Sequence, residues 1–329
     1  MKKILQTILI IAVCTGIVTG CTEGTLSPPA DVKVAALKGP SSIGMVKLMD
    51  DADNGTIQTN NFSFDIFASA DEVVPKIVQR QIDIAALPAN LASVLFNNTK
   101  GNVQVIAVGT LGMLYVVESG KTVTSIEDLR GKTVYAGFKG KSPEYDFNYI
   151  LKSNGIDPVK DINIEWKSEH TESVAALAAN NNAIAVLPQP FATTAQLSNK
   201  NIRAALDLNK EWEKIQEKHA NPSSLVTGVV VARTEFIKQN PEALNDFLDR
   251  YMQSAEFAIN KVEETASLVE KYNIFPAAVA KKAIPYCNIT FIKGQEMKKK
   301  LSGYLNILFK QNPQSVGGKL PNDDFYFIR

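Results

Sequence analysis

Cysteine and histidine are scarce in this chain of 329 residues, which holds three of the first and two of the second. Cys14 and Cys21 lie near the N-terminus, so Cys287 stands alone in the remainder and no internal disulfide can form there. One thiol with only His170 and His219 leaves little for a Cys–His nucleophile or a multi-histidine zinc site. An excess of charge of either sign is lacking too. The net charge is +1, and losing Lys2 and Lys3 with a leader would make it slightly negative, so no global basic field recruits nucleic acid. The one long apolar run, Ile4 to Val18, is too short for a confident membrane span. What remains is ordinary globular composition, 45% hydrophobic, in a chain long enough for two units with real cores.

The N-terminal run has the layout of a secretory signal: Lys2 and Lys3, an apolar core, then small residues. Val18-Thr19-Gly20-Cys21 resembles a bacterial lipobox, with Val18 where leucine is usual. Residues 1–20 are therefore expected to be removed, Cys21 to carry lipid, and residues 21–30, with Pro28-Pro29, to tether an extracytoplasmic domain to the membrane. The alternative is an ordinary cleaved signal with an incidental cysteine.

The chain also repeats itself about one hundred residues apart. Ile84, Ala85, Leu87, Pro88 and Ala92 match Ile184, Ala185, Leu187, Pro188 and Ala192. Val34 to Gly39 matches Val134 to Gly140, each a buried strand that runs into a glycine. So long a period is unlike solenoid repeats and points to duplication of a domain-sized unit, hence two lobes with a cleft between them.

Strands and helices alternate along the chain, the grammar of open α/β sheets. Strands are expected at Val32 to Leu37, Phe62 to Phe67, Ile82 to Leu87, Val103 to Val108 and Leu114 to Val117. A helix is expected from Ile43 to Met49, with Ile43, Val46 and Met49 on one face. The Gly109 to Gly112 bend reads as the first hinge. Strands at Thr133 to Ala136, Ile162 to Trp166 and Ala183 to Leu187 follow, with a helix from Pro143 that stops at Asn154-Gly155. The run Leu225 to Val231 returns to the first lobe, after which the chain reads as mainly helical. The expected limits are 31–113 with 225–329 for one lobe and 114–224 for the other.

Taken in order, several features resemble the extracytoplasmic solute-binding proteins of ABC importers, in the group that binds nitrate, sulfonates, taurine and thiamine precursors. They are the lipobox, the Ser125 to Gly131 segment before a strand and glycine loop, the Leu187-Pro188-Gln189-Pro190 turn, the Val229 to Phe236 crossing and the helix after Asn240-Pro241. The resemblance implies an α/β fold of the two-lobed type II periplasmic-binding-protein kind, with two hinge crossings and a central cleft. It also implies a monomer without catalysis, metal or cofactor that closes on a small solute and delivers it to an ABC permease. Members often carry an acidic residue where this chain has Gln189.

In open α/β sheets ligands bind beyond the carboxyl ends of the strands. Those ends supply Gly39, Pro40, Ser41 and Ser42, then Pro88 and Asn90, Thr110, the loop Phe138, Gly140, Lys141 and Ser142 with Tyr145, then His170 and Gln189. Glycine turns with free amides, hydroxyls and neighbouring lysines, Lys38 and Lys139 among them, suit an organic anion held from both sides. Capping of structural helices by the same serines, and solvation of the lysines, are the competing readings. His170 can donate to an anion or sense pH. Two other functions share the fold: enzymes of the pyrimidine-synthesis or transferase type, and a lipoprotein that senses its ligand without transport. Gly140-Lys141-Ser142-Pro143 lacks the final glycine of a nucleophile elbow, and Gly137 to Gly140 is no dinucleotide or phosphate loop.

Overall fold

The computed structural model describes residues 28–328. The first half of the chain opens with strand β1 (Asp31–Leu37), whose inner positions are buried. It turns at Gly39 into the short helix α1 (Pro40–Ile43) and then α2 (Val46–Asp53). The single helix expected from Ile43 is thus broken at Gly44. A side chain there would stand 3.2 Å from Ile289 Cγ2, so the break lets a distant strand approach. The predicted face survives, with Ile43, Val46 and Met49 all buried. Strand β2 (Asn61–Phe67) leads to α3 (Ala70–Val78), which is capped reciprocally: Asp71 N donates to Ser69 Oγ and Ser69 N donates to Glu72 Oε1. Strands β3 (Ile84–Pro88) and β4 (Val103–Leu111) follow, joined by α4 (Ala89–Asn98).

The chain then crosses to a second sheet at β5 (Leu114–Ser119). There β6 (Thr133–Ala136), α5 (Ser142–Ser153), β7 (Asn163–Trp166), α6 (His170–Ala179), β8 (Ile184–Pro188), α7 (Phe191–Ser198), β9 (Ile202–Asp207) and α8 (Leu208–Gln216) alternate. Gly155 closes α5 at φ 75°, in the left-handed region as predicted. Strand β10 (Val226–Arg233) returns the chain to the first sheet, and α9 (Thr234–Gln239), α10 (Pro241–Asn260), α11 (Val262–Lys271) and α12 (Ala277–Ala283) complete that side. One more strand, β11 (Ile289–Ile292), interrupts the expected helical run before α13 (Gly294–Gln311).

Among the described residues the first sheet has the order β11-β4-β10-β3-β1-β2 and the second β7-β6-β8-β5-β9. Their inner parts are copies. In the first, Val34 pairs with Ile84 in parallel; in the second, Val134 pairs with Ile184 in parallel. The arriving strand also corresponds: β10 runs antiparallel between β3 and β4, and β5 runs antiparallel between β8 and β9. The repeat read from sequence is therefore a repeat of topology.

Of the glycines expected to bend at the first crossing, Gly109 acts otherwise, as does Gly228 at the return crossing. Gly109 lies within β4, and a Cβ there would collide with the Tyr251 hydroxyl; at Gly228 it would collide with Thr110 Oγ1. They are small because neighbours come close, and the chain turns only at Gly112 and Met113. Thr227 Oγ1 donates to Leu111 O at 2.5 Å, tying the two crossings together.

Helix α13 packs on β4 and α4 and also on α5 of the second half. At that seam Tyr304 OH donates to Asp146 Oδ1 at 2.9 Å, while Asp146 Oδ2 is buried without a partner among the described residues. Burial pushes the Asp146 carboxyl up to about 8 against the opposing effect of the Tyr304 bond. Its proton is thus bound more tightly in the folded state than in the unfolded chain. The associated stability is full below about pH 4 and is lost as pH rises to about 8, by up to about 1.4 kcal/mol per pH unit for one proton. Denaturant unfolding at pH 5 and pH 8 should show a larger loss for the parent than for Asp146→Asn; equal losses would contradict the buried neutral acid.

Candidate functional site

The carboxyl ends of β1, β3 and β8 converge with the end of β4 and the start of β10 on a cleft of about 510 Å³. A larger groove, of about 700 Å³, runs past Pro28, Asn60 and Pro241. It lies at the amino ends of β1 and β2, so the cleft is the candidate on topological grounds.

Eight of the predicted residues line the cleft: Gly39, Pro40, Ser41, Pro88, Thr110, Lys141, His170 and Gln189. Six do not. Ser42 is fully buried, and its hydroxyl donates to Gly39 O at 2.9 Å and accepts from Gly39 N at 3.2 Å, so it holds the turn together. Asn90 turns away and donates to Ser315 O. Phe138 is core, edge-on to Trp166. Gly140 donates its amide to Glu144 Oε2 on the exposed side of its loop. Ser142 faces the Tyr304 hydroxyl, and Tyr145 accepts from Asn312. For Ser42 and Ser142 the capping and structural alternative is the one the geometry supports.

Lys38, expected beside its glycine turn, lines the cleft as well, and so does Phe191, whereas Lys139 does not; Met113, Glu169, Thr227 and Phe275 line it without having been expected. Lys38 directly follows β1, whereas Lys141 stands at the end of the loop after β6, just before α5; the two loops correspond in the two halves, but the two positions do not. Both are exposed and form no ion pair among the described residues. Ser41 Oγ donates to Leu37 O at 3.0 Å, so in this arrangement its hydrogen is already used. Gln189 Oε1 accepts from Thr193 Oγ1 at 2.8 Å and Thr193 N at 3.3 Å. That network assigns the amide oxygen inward and leaves Nε2 as the cleft-side donor.

His170 opens α6, where the backbone of Glu169 and His170 lies so near Gly137 that a Cβ there would stand 2.8 Å away. Its ring stands 5.0 Å from that of Phe191, and Nδ1 is buried with no partner among the described residues. Burial pushes the imidazole down to about 4, and the Lys141 charge acts in the same direction. At neutral pH the ring is uncharged, so the cationic groups of the cleft are the two lysines.

The cleft lies between two α/β halves, and the strand ends bring polar groups to it from both. Residues 54–274 match the family described as ABC transporter, phosphonate, periplasmic substrate-binding protein, and the chain belongs to that family. Solved structures share its fold. An ABC transporter protein from Parabacteroides distasonis is 23% identical, with 90% of this chain and 98% of that one covered and a TM-score of 0.74. The periplasmic aliphatic sulphonate-binding protein SsuA from Escherichia coli is 16% identical, covers 90% and 93%, and gives 0.70. The periplasmic nitrate-binding protein NrtA from Synechocystis PCC 6803 is 13% identical, covers 87% and 82%, and gives 0.62. No curated protein matches. The chain is thus the substrate-binding component of an ABC transporter, working outside the cytoplasm. None of its described helices is long and apolar enough to cross a membrane.

The neutral state of His170 can be checked in the ligand-free protein. Its imidazole resonances should keep neutral values as pH falls to 5 and titrate near 4. A midpoint near the unperturbed value of about 6.5 would contradict this site description.

Proposed function

We propose that this chain is a lipid-anchored solute receptor that closes on a small organic anion and delivers it to an ABC permease. Cys21, which lies outside the described residues, is the proposed anchor, with the signal at 1–20 and the tether at 21–30. Residues 31–113 with 225–329 form one closing lobe and 114–224 the other, and the receptor acts as a monomer.

One observation carries the reading: two lysines without an ion-pair partner among the described residues, one from the loop after β1 and one from the loop after β6, line the same cleft. Across an open cleft their charges repel, and an anion between them would be attracted to both halves. The donors of Gln189 and the first-turn amide of Ser41 add hydrogen bonds without charge. Lobe closure would then desolvate the lysine contacts and strengthen them beyond the fraction of a kcal/mol usual for exposed pairs. Hinge closure around a ligand is the known behaviour of periplasmic binding proteins.

Calorimetry of the soluble domain with alkyl phosphonates, sulfonates and carboxylates should find a binder whose affinity falls as salt rises. Lys141→Ala should weaken it about tenfold, and small-angle scattering should show the radius of gyration falling on binding. Preference for a cation, or full affinity in the Lys38→Ala/Lys141→Ala double variant, would overturn the anion reading. Ser42→Ala should behave differently from a ligand contact. It strands the buried Gly39 amide, while the Gly39 carbonyl keeps the Ile43 amide, and should lower stability by about 1–3 kcal/mol. For the anchor, Cys21→Ala should leave the domain folded but absent from the lipid-modified membrane fraction; persistent lipid attachment would exclude Cys21.

A further inference from the structure

The cleft is larger than a bare oxyanion needs. Its 510 Å³ falls within the range of about 300–1,000 Å³ typical of organic-ligand pockets, whereas a tetrahedral oxyanion fills only a few water volumes of about 30 Å³ each. One stretch of the remaining wall is aromatic. Phe138, His170, Phe191 and Phe275 form a continuous chain of rings, with successive centroids 6.2, 5.0 and 5.8 Å apart. The last three reach the cleft lining.

Two features make this row more than core packing. Phe191 and Phe275 are half-buried, so each keeps part of its ring exposed on the cavity wall. They also belong to different halves: Phe191 opens α7 after β8, and Phe275 lies between α11 and α12. Their rings meet edge-on at 85°. A flat group seated against them would contact both lobes at once. His170 continues the wall as an uncharged ring within electrostatic reach of Lys141. The anion-holding end and the aromatic end are thus neighbours.

We infer that the solute is an organic anion with an aromatic or similarly flat apolar body, its charged head at Lys38 and Lys141 and its body on His170, Phe191 and Phe275. This rests on the anion-receptor reading above and adds which part of the ligand gives selectivity. Phe275 is the specificity-determining residue supplied by the first half, because removing its ring opens the wall without touching the lysines.

The test compares phenylphosphonate and benzenesulfonate with methylphosphonate, methanesulfonate and inorganic phosphate by calorimetry on the parent and on Phe275→Ala and Phe275→Leu. The parent should bind the phenyl anions about ten- to a hundredfold tighter than the methyl ones, as burial of one ring predicts. Phe275→Ala should bring that ratio below about threefold while leaving methyl-anion affinity near the parent's. Phe275→Leu, which keeps apolar bulk and the fold, should give an intermediate ratio. Equal binding of phenyl and methyl anions by the parent overturns the inference but leaves the anion receptor standing. A phenyl preference that survives Phe275→Leu and Phe275→Ala also overturns it. Failure of every anion to bind overturns both.

Discussion

Each half of this molecule carries, in the middle of its sheet, a strand delivered by the other half. β10 enters the first sheet between β3 and β4, and β5 enters the second between β8 and β9. Both run against the parallel strands beside them. This arrangement forces the carboxyl ends of β1 and β3 to face the carboxyl end of β8, so every loop that can touch a solute is on one surface. Thr227, hydrogen-bonded to Leu111 where the crossings meet, lines the same cleft as the ligand loops. Small residues at Gly109 and Gly228 permit that close passage.

The chemistry of the cleft follows from what is left unpaired there. Elsewhere the ionic side chains tend to find partners: Arg233 with Asp83 at 2.6 Å, or Arg203 with the buried Glu118 at 2.8 Å. Lys38 and Lys141 have none among the described residues, and the histidine between the lobes is held neutral by burial. Charge recognition is therefore left to two exposed ammonium groups, with the Glu169 carboxylate on the same lining, and the ammonium groups favour an anion without dictating its geometry as an arginine fork would. Selectivity must then come from shape and apolar contact, which is the role assigned to the aromatic wall.

Much of this was legible in the sequence, for reasons that particular residues make plain. Buried parallel strands are continuous apolar runs, so Ile84 to Leu87 and Ile184 to Leu187 announced themselves and their hundred-residue offset exposed the duplication. Lys141, His170 and Gln189 could be placed because each follows a predicted strand. Ser42 and Ser142 could not be separated from Ser41, since a hydroxyl at a helix start either caps or binds, and only packing decides which. Strands β9 and β11 were missed: both are edge strands, one with the charged Arg203 as its second residue and the other only four residues long. Phe275 had no local signal at all, because a connection between two helices brings it back to the cleft far from any strand end.

The most direct test of the central claim is a crystal structure of the soluble domain grown with phenylphosphonate. The account predicts the phosphonate oxygens between Lys38 and Lys141, near Gln189 Nε2, with the ring against Phe191 and Phe275. Ligand found instead in the groove beside Pro28 and Pro241, or a head group bound away from both lysines, would contradict it.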